Sequence, residues 1–336
     1  MDLSNLLPGS DHPTNAIINV HTHFIPDTYR QALDKAGVSQ KDIGFALPPW
    51  SVESRLADMD EYGVQTDVLS LSSPGLRFWQ GQEAVDLGRK LNEELAEIIR
   101  VHPTRFGGYT TLPLPDVDAA LEEIAYGFDV LGLDGVVLMS NYEGTYLGDT
   151  KFAPVMEELN RRQAVVFVHP TETPVNNRIN LGFPAPMIEY PFDSTRTVVS
   201  LLDGETLSRC PDIRFIISHG GGTLPFLGPR IGIGFSWKQD ANQTLSVLKV
   251  KSGIASLYFD LAISTYPAAL LAIQNSHDAS KLLMGFDLPF LPPDSIPKAK
   301  KGVADFDKFS KSELAQINSG NALKLFPRLA EAIRSK

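Results

Sequence analysis

Short apolar runs recur along the chain, and amphipathic stretches separate them. Near-continuous apolar runs are typical of parallel strands that are buried on both faces of a sheet. Eight such runs occur, at residues 16–24, 66–72, 106–112, 135–140, 164–169, 214–219, 257–263 and 282–287. Between several of them apolar positions recur every three or four residues, which predicts helices, most clearly at 83–101, 118–130 and 151–162.

Eight strands alternating with helices in 336 residues predict a (β/α)8 TIM barrel. A doubly wound open sheet is the main alternative, but it usually carries a glycine-rich phosphate turn after its first strand. Here the first run ends in His21-Thr22-His23 instead. We find no linker or repeat that would divide the chain, so we expect one domain over 1–336 with its core at about 16–328.

Two predicted connections are longer than a barrel needs. Residues 25–50 follow the first strand and residues 171–190 follow the fifth, and both are rich in Pro, Gly and Asn. Active sites of such barrels lie at the carboxyl ends of the strands, so we expect these insertions to wall the site. We expect the last stretch, 312–336, to form one helix on the barrel's exterior.

Charge and composition exclude several classes of partner. The net charge is −10, from 30 Lys and Arg against 40 Asp and Glu, and no basic block occurs. This argues against nucleic acid or an anionic membrane surface as the main partner. The single cysteine, Cys210, cannot form an internal disulfide. With no visible targeting segment and no apolar run of about 20 residues, we expect a cytoplasmic protein.

Four of the seven histidines lie at the ends of predicted strands. His21 and His23 are two residues apart on one strand, so their side chains project from the same face. His169 closes the fifth strand, His219 the sixth and Asp287 the eighth. In a closed barrel all five would meet at one mouth, and imidazole and carboxylate groups together are typical metal ligands. The other histidines are expected in turns or facing solvent: His12, His102 and His277.

These motifs resemble the amidohydrolase superfamily, in particular its metal-dependent decarboxylase branch, typified by 2-amino-3-carboxymuconate 6-semialdehyde decarboxylase. The similarity covers about residues 16–328 and includes His219-Gly220-Gly221-Gly222 and Gly285-Phe286-Asp287. Segments at 112–116, 159–162, 167–170 and 189–193 look most like 6-methylsalicylate decarboxylases. The eighth strand departs from the usual pattern, with Phe286 where the branch has Ser or Thr.

The resemblance implies one divalent metal per chain, bound by His21, His23, His169 and Asp287. Three imidazoles and a carboxylate suit Zn²⁺, and Mn²⁺ is the alternative that the ligands also allow. Members of the superfamily with two metals use a carboxylated lysine at the end of the fourth strand. That strand ends in Ser140 here, so a second metal is not expected.

The resemblance also implies two substrate-binding arginines, Arg55 and Arg230, with Arg230 supplied across the interface of a homodimer. A guanidinium binds the carboxylate of an anionic substrate in a two-pronged contact. The expected substrate is an aromatic or unsaturated carboxylic acid.

The sequence thus predicts a carboxy-lyase, with 6-methylsalicylate as the favoured substrate and 3-methylphenol as its product. Either Asp287 or His219 would deliver a proton to the ring, with Asp287 as ligand and His219 as proton handler preferred. Two other enzymes remain open: a lactonase or amidohydrolase, and a muconate-semialdehyde decarboxylase in which His219 activates water. A non-catalytic barrel that binds a partner is a fourth reading.

Overall fold

Eight parallel strands form a barrel in the computed structural model, which describes residues 16–39, 46–173, 182–238 and 242–335. The barrel strands follow one another around the sheet in chain order. They are β1 (Ile18–His23), β2 (Thr66–Ser70), β3 (Phe106–Thr111), β4 (Gly135–Met139), β7 (Val165–His169), β8 (Arg214–Ile217), β9 (Tyr258–Asp260) and β10 (Leu282–Leu283). A small antiparallel hairpin, β5 (Asn141–Tyr142) and β6 (Thr145–Tyr146), follows β4.

The barrel closes between β10 and β1. The Val20 amide donates to the Met284 carbonyl at 2.9 Å, and the Asp287 amide donates to the His21 carbonyl at 2.9 Å. A parallel bridge then joins Thr22 to Leu288. This confirms the predicted (β/α)8 architecture, with all eight apolar runs in the sheet.

Helices surround the barrel and its ends. They are α1 (Asp27–Lys35), α2 (Val52–Tyr62), α3 (Gln82–Val101), α4 (Val117–Asp129), α5 (Ala153–Arg161), α6 (Ala185–Asp203), α7 (Thr206–Arg209), α8 (Ser218–Gly221), α9 (Leu224–Lys238), α10 (Gln243–Ser256), α11 (Pro267–Gln274), α12 (Ser295–Ala304), α13 (Lys311–Ala315), α14 (Asn321–Leu325) and α15 (Pro327–Arg334). No helix in these described ranges is both long and apolar enough to cross a membrane.

The alternation of side chains along each strand divides the core into two layers. One set fills the barrel, including Val68, Tyr109 and Phe167. The other set, including Val136 and Val168, packs against the helices. Both layers are needed to bury a strand on its two faces, which explains the continuous apolar runs in the sequence.

The expectation of one exterior helix at 312–336 is wrong. The segment is divided into α13, a π-helical turn at Gln316–Gly320, α14 and α15. Ala322, Leu325, Phe326 and Leu329 pack with the side chains that fill the barrel. Pro327 has no amide hydrogen and so interrupts the helix, which lets α14 and α15 close the amino-terminal end of the barrel.

Candidate metal centre

Four predicted ligands meet at the carboxyl end of the barrel. His21, His23, His169 and Asp287 are buried, and one ligand atom from each lies within 4.8 Å of the others. The Nε2 atoms of His21 and His23 are 3.2 Å apart. Asp287 Oδ1 lies 3.2 Å from the Nε2 of His23 and 3.4 Å from the Nε2 of His21. The four side chains are therefore close enough to bind a single metal ion.

A β-bulge in β1 directs both histidines into the barrel. The register between β1 and β2 shifts between Asn19 and Thr22. Ile18 and Val20 already pack inside the barrel, so regular alternation would turn His21 towards the helices. The additional residue of a bulge reverses that alternation. Ring contacts of His21 with Phe167, at 4.9 Å between centroids, place it above the apolar filling of the barrel.

Each imidazole of the His21–His23–His169 cluster is held through its Nδ1 atom. His21 Nδ1–H donates to Asp260 Oδ2 at 3.0 Å, and His169 Nδ1–H donates to the Pro170 carbonyl at 2.8 Å. His23 Nδ1 lies 3.0 Å from Ser70 Oγ and 3.3 Å from the Ser70 carbonyl. Oxygen partners at Nδ1 keep that proton in place and leave the Nε2 lone pair for a metal. The donor set therefore fits a divalent ion.

Burial and the two nearby carboxylates determine the charge of the histidines. Burial lowers the pKa of His23, and it lowers the pKa of His169 well below the usual range. Burial also lowers the pKa of His21, but the charges of Asp260 and Asp287 outweigh it and raise this pKa to about 10. His23 and His169 are thus neutral near pH 7, the form in which imidazole binds a metal, whereas His21 is protonated without metal and must release its Nε2 proton when a metal binds.

His219 faces the other oxygen of Asp287. Its Nε2 lies 3.3 Å from Asp287 Oδ2, whereas Oδ1 of the same carboxylate faces His21 and His23. Both residues have left-handed backbone conformations, with φ of 56° at His219 and 55° at Asp287. Such strain in residues other than glycine is concentrated at functional sites.

The glycines after His219 make its position possible. Gly221 and Gly222 also have positive φ, at 76° and 63°. A Cβ atom at Gly221 would lie 2.3 Å from the Phe259 ring, and one at Gly222 would lie 2.2 Å from the Pro191 carbonyl oxygen. Only residues without a side chain fit this tight connection between β8 and α9.

A cavity of about 230 Å³ opens onto the cluster at His169 and Asp287. Its walls are largely apolar and include Pro184, Met187, Tyr190, Ile263, Phe290 and Leu291. The two predicted insertions contribute to it, through Ala46 and Pro48 in one and the start of α6 in the other; residues 40–45 and 174–181 lie outside the described residues. A wider cleft of about 790 Å³ lies over the loops after β2, β3, β4 and β7, and none of the four clustered residues lines it.

The two predicted arginines lie elsewhere. Arg55 is buried between α2 and β2, and its guanidinium donates to Asp67 Oδ2 at 2.6 and 3.1 Å and to Asp58 at 2.9 Å. These contacts occupy the side chain, and the structure does not bring it to the cavity. We therefore do not propose a substrate role for Arg55. Arg230 is exposed on α9, away from the cavity walls of its own chain.

Sequence reasoning missed three residues that shape the site. Asp260 and Ser70 hold the imidazoles of His21 and His23, and Tyr190 lines the cavity. Asp260 closes a strand in the same way as His169, so its position at a strand end was the available signal. His277, expected in a turn, is buried with its ring 3.7 Å from that of Phe259.

Comparisons with known proteins agree with this geometry. The sequence matches the amidohydrolase family over residues 18–328. It is 38% identical to the decarboxylase yanB of Aspergillus niger, covering 93% of this chain and 87% of the relative. It is 36% identical to a 6-methylsalicylic acid decarboxylase of Penicillium expansum, covering 94% and 97%.

A solved structure described as amidohydrolase II superposes with a TM-score of 0.84 at 28% identity, covering 92% of this chain and 99% of that one. The resemblance inferred from the histidine motifs is thereby confirmed. With the family match spanning nearly the whole barrel, this chain belongs to the amidohydrolase family.

Proposed function

We propose that this chain is a metal-dependent, non-oxidative decarboxylase that converts a hydroxybenzoate-type acid, with 6-methylsalicylate favoured, into a phenol and CO2. The observation that carries the proposal is the 230 Å³ cavity, whose apolar walls open onto Asp287 and His169. A single aromatic ring suits such walls, and its acidic group would face the ligand cluster. Relatives with decarboxylase activity in their names, at 36–38% identity, support the same reaction.

One divalent ion held by His21, His23, His169 and Asp287 would stabilise negative charge on the substrate's carboxylate and hydroxyl oxygens. We favour Zn²⁺ over Mn²⁺ because nitrogen dominates the donor set. Ser140 at the end of β4 donates to Asp193, and its hydroxyl offers no equivalent of a bridging carboxylated lysine. This supports one ion per chain.

His219 is the residue we assign to proton transfer. Its Nδ1 atom is buried and has no hydrogen-bond partner among the described residues, in contrast to the Nδ1 atoms of the three ligand histidines. Because no hydrogen-bond partner fixes a proton on Nδ1, the imidazole can gain or lose a proton at Nε2. This Nε2 atom lies 3.3 Å from Asp287 Oδ2. His219 would protonate the ring carbon that bears the carboxyl group. Cleavage of the carbon–carbon bond then releases CO2, and its electron pair restores the aromatic ring.

The test combines analysis of the reaction products with measurement of the protein's metal content. Protein loaded with Zn²⁺ or Mn²⁺ is expected to release equal amounts of CO2 and 3-methylphenol from 6-methylsalicylate, and metal-stripped protein to release neither. A panel of hydroxybenzoates, a muconate semialdehyde and simple lactones covers the alternatives. Acid release from lactones without CO2 would identify a hydrolase. Absence of both metal and turnover would favour a non-catalytic barrel.

We also propose a cytoplasmic homodimer in which Arg230 serves the partner's active site. Four large apolar side chains are exposed on the α9–α10 pair: Phe226, Trp237, Leu245 and Leu248. Phe226 is 83% exposed and Trp237 80% exposed. An apolar patch of this kind supports a protein interface, and a two-fold axis through it would make the exchange of arginines mutual.

Mixed dimers test the role of Arg230. Arg230→Ala and Asp287→Asn chains, each inactive alone, are expected to regain about a quarter of native activity after random exchange. Half of the dimers are then mixed, and one of their two sites is intact. Mixing His169→Ala with Asp287→Asn is the control and should restore nothing, because both ligands come from one chain. No recovery with Arg230→Ala despite exchange would refute the proposal.

A further inference from the structure

Asn19 lies at the seam where the barrel closes and contacts both sides of it. The residue is fully buried at the start of the β1 bulge. Its Oδ1 accepts two backbone hydrogen bonds, from the His21 amide at 3.2 Å and from the Phe286 amide at 3.1 Å. One side-chain oxygen thus joins the backbone of a metal ligand to the backbone of the residue before Asp287.

Pairing across this seam is irregular: the amides of Val20, His23 and Asp287 donate across it, but the described residues form no ladder between β1 and β10. β10 is only two residues long, and a single isolated bridge joins Thr22 to Leu288. The bulge also disrupts the ladder of β1 at the residues that carry the ligand histidines. The Asn19 amide therefore supplies contacts at a place where the backbone pattern is interrupted.

A chain of buried polar groups holds the Asn19 side chain. Asn19 Nδ2 donates to Asp67 Oδ1 at 2.7 Å. The other oxygen of Asp67 accepts two hydrogen bonds from Arg55, which also donates to Asp58. Asp67 is fully buried and Arg55 is 2% exposed. Because Nδ2 donates to Asp67, the amide orientation is defined, and Oδ1 must face the two backbone amides.

We propose that Asn19 is a positioning residue for the metal centre, and that the Arg55–Asp67 ion pair acts through it. The network determines the separation between His21 and Asp287, which lie on opposite sides of the seam. This gives Arg55 a function in metal binding without contact with metal or substrate. The inference rests on the metal site proposed above.

The experiment measures the affinity of metal-stripped protein for Zn²⁺ and Mn²⁺ by competition with a chromogenic chelator. Asn19→Ala is expected to weaken binding by roughly 10–100-fold, as loss of groups that orient ligands generally does. Arg55→Lys loses the paired contact with Asp67 and should weaken binding by at least about threefold. Excess metal should restore turnover in both variants, since neither residue touches the reacting groups.

A second arginine–aspartate pair provides the matched control. Arg328 donates to both oxygens of Asp134 at 2.8 Å, at the opposite end of the barrel. Arg328→Lys and Arg55→Lys should both lower the melting temperature of the metal-free protein, but Arg328→Lys should leave metal affinity unchanged. If Asn19→Ala does not fold, the comparison of the two lysine variants decides.

Two results would overturn the inference. One is native metal affinity, within about threefold, in either Asn19→Ala or Arg55→Lys. The other is an equal loss of affinity in Arg328→Lys and Arg55→Lys, which would indicate a general effect of stability. Failure of the native protein to bind either metal would instead refute the proposed metal site.

Discussion

Replacing Asp260 by Asn should weaken metal binding, although Asp260 is not itself one of the four clustered ligands. Asp260 is fully buried, and Oδ2 accepts from His21 Nδ1–H at 3.0 Å. Its Oδ1 accepts from the Ala262 amide at 2.8 Å and from the His219 amide at 3.4 Å. In the Asp260→Asn variant one of these two oxygen positions must become an NH2 group, which cannot accept a hydrogen bond.

The Ala262 amide determines which position changes. If the side-chain oxygen of the asparagine stays with Ala262, its NH2 group faces His21 Nδ1 and favours the tautomer that carries the proton on Nε2. That tautomer has no lone pair for the metal. The opposite orientation places NH2 against the Ala262 N–H. The first arrangement costs about 1.4–2.8 kcal/mol of metal-binding free energy, or roughly 10–100-fold in affinity, whereas the second keeps the oxygen on His21 Nδ1–H and lowers the stability of the fold instead.

Chelator competition on metal-stripped protein measures this loss, and Asp193→Asn is the matched control. Asp193 is also fully buried, and it accepts from Asn141 Nδ2 at 2.9 Å and Tyr146 Oη at 2.6 Å, neither of which is a ligand. Its variant should lose stability but keep metal affinity. Native affinity in Asp260→Asn, or the same loss in both variants, would refute the reasoning.

Four further predictions concern other parts of the chain. His219→Asn should keep its metal but lose roughly 10²–10⁴-fold in kcat; metal analysis beside kinetics checks this, and loss of metal would make His219 a ligand. Gly222→Ala should lower the melting temperature, because its Cβ would lie 2.2 Å from the Pro191 oxygen. Gly234 lies in α9, and a Cβ added there would have no neighbouring atom outside the helix backbone within 4 Å. Gly234→Ala should therefore raise the free energy of unfolding by about 0.5–1 kcal/mol. Burial lowers the pKa of His277 to about 4, so between pH 6.5 and 4 the unfolded chain binds a proton that the folded chain does not. Unfolding free energy should therefore fall across this range by up to about 3 kcal/mol from His277, and His277→Gln should reduce the fall in urea titrations at pH 7 and 4.5. An unchanged pH dependence in that variant would contradict the assignment.

The eight apolar runs determined the barrel, and the barrel determined where the chemistry lies. A strand buried on both faces needs an apolar residue at nearly every position, and few other structures require this. Once the strands were placed, polar residues at their carboxyl ends had to meet at one mouth. The meeting of His21, His23, His169 and Asp287 at that mouth was predicted on that basis, and the family resemblance implied their role as metal ligands. The structure brings their potential ligand atoms within 4.8 Å of one another.

Features that depend on contacts between distant segments were not predictable. The resemblance implied a substrate contact for Arg55, and the sequence could not show that its ion-pair partner, Asp67, lies on a strand that folds against α2. The exterior helix expected at the end of the chain instead closes the barrel, because Phe326 contacts Tyr109 across the interior, with ring centroids 6.0 Å apart. A local pattern gives the periodicity of a segment but not the surface that covers it.

The β1 bulge most clearly separates what the sequence determined from what only the tertiary structure decided. The sequence alone placed His21 and His23 on one face, and alternation along the strand was sufficient for that. Which face they share was decided by the additional residue between Asn19 and Thr22 and by the hydrogen bonds from His21 and Phe286 to the Asn19 side chain. The bond from Phe286 joins residues 267 positions apart. Its energy exists only when the barrel has closed, so only the tertiary structure could decide it.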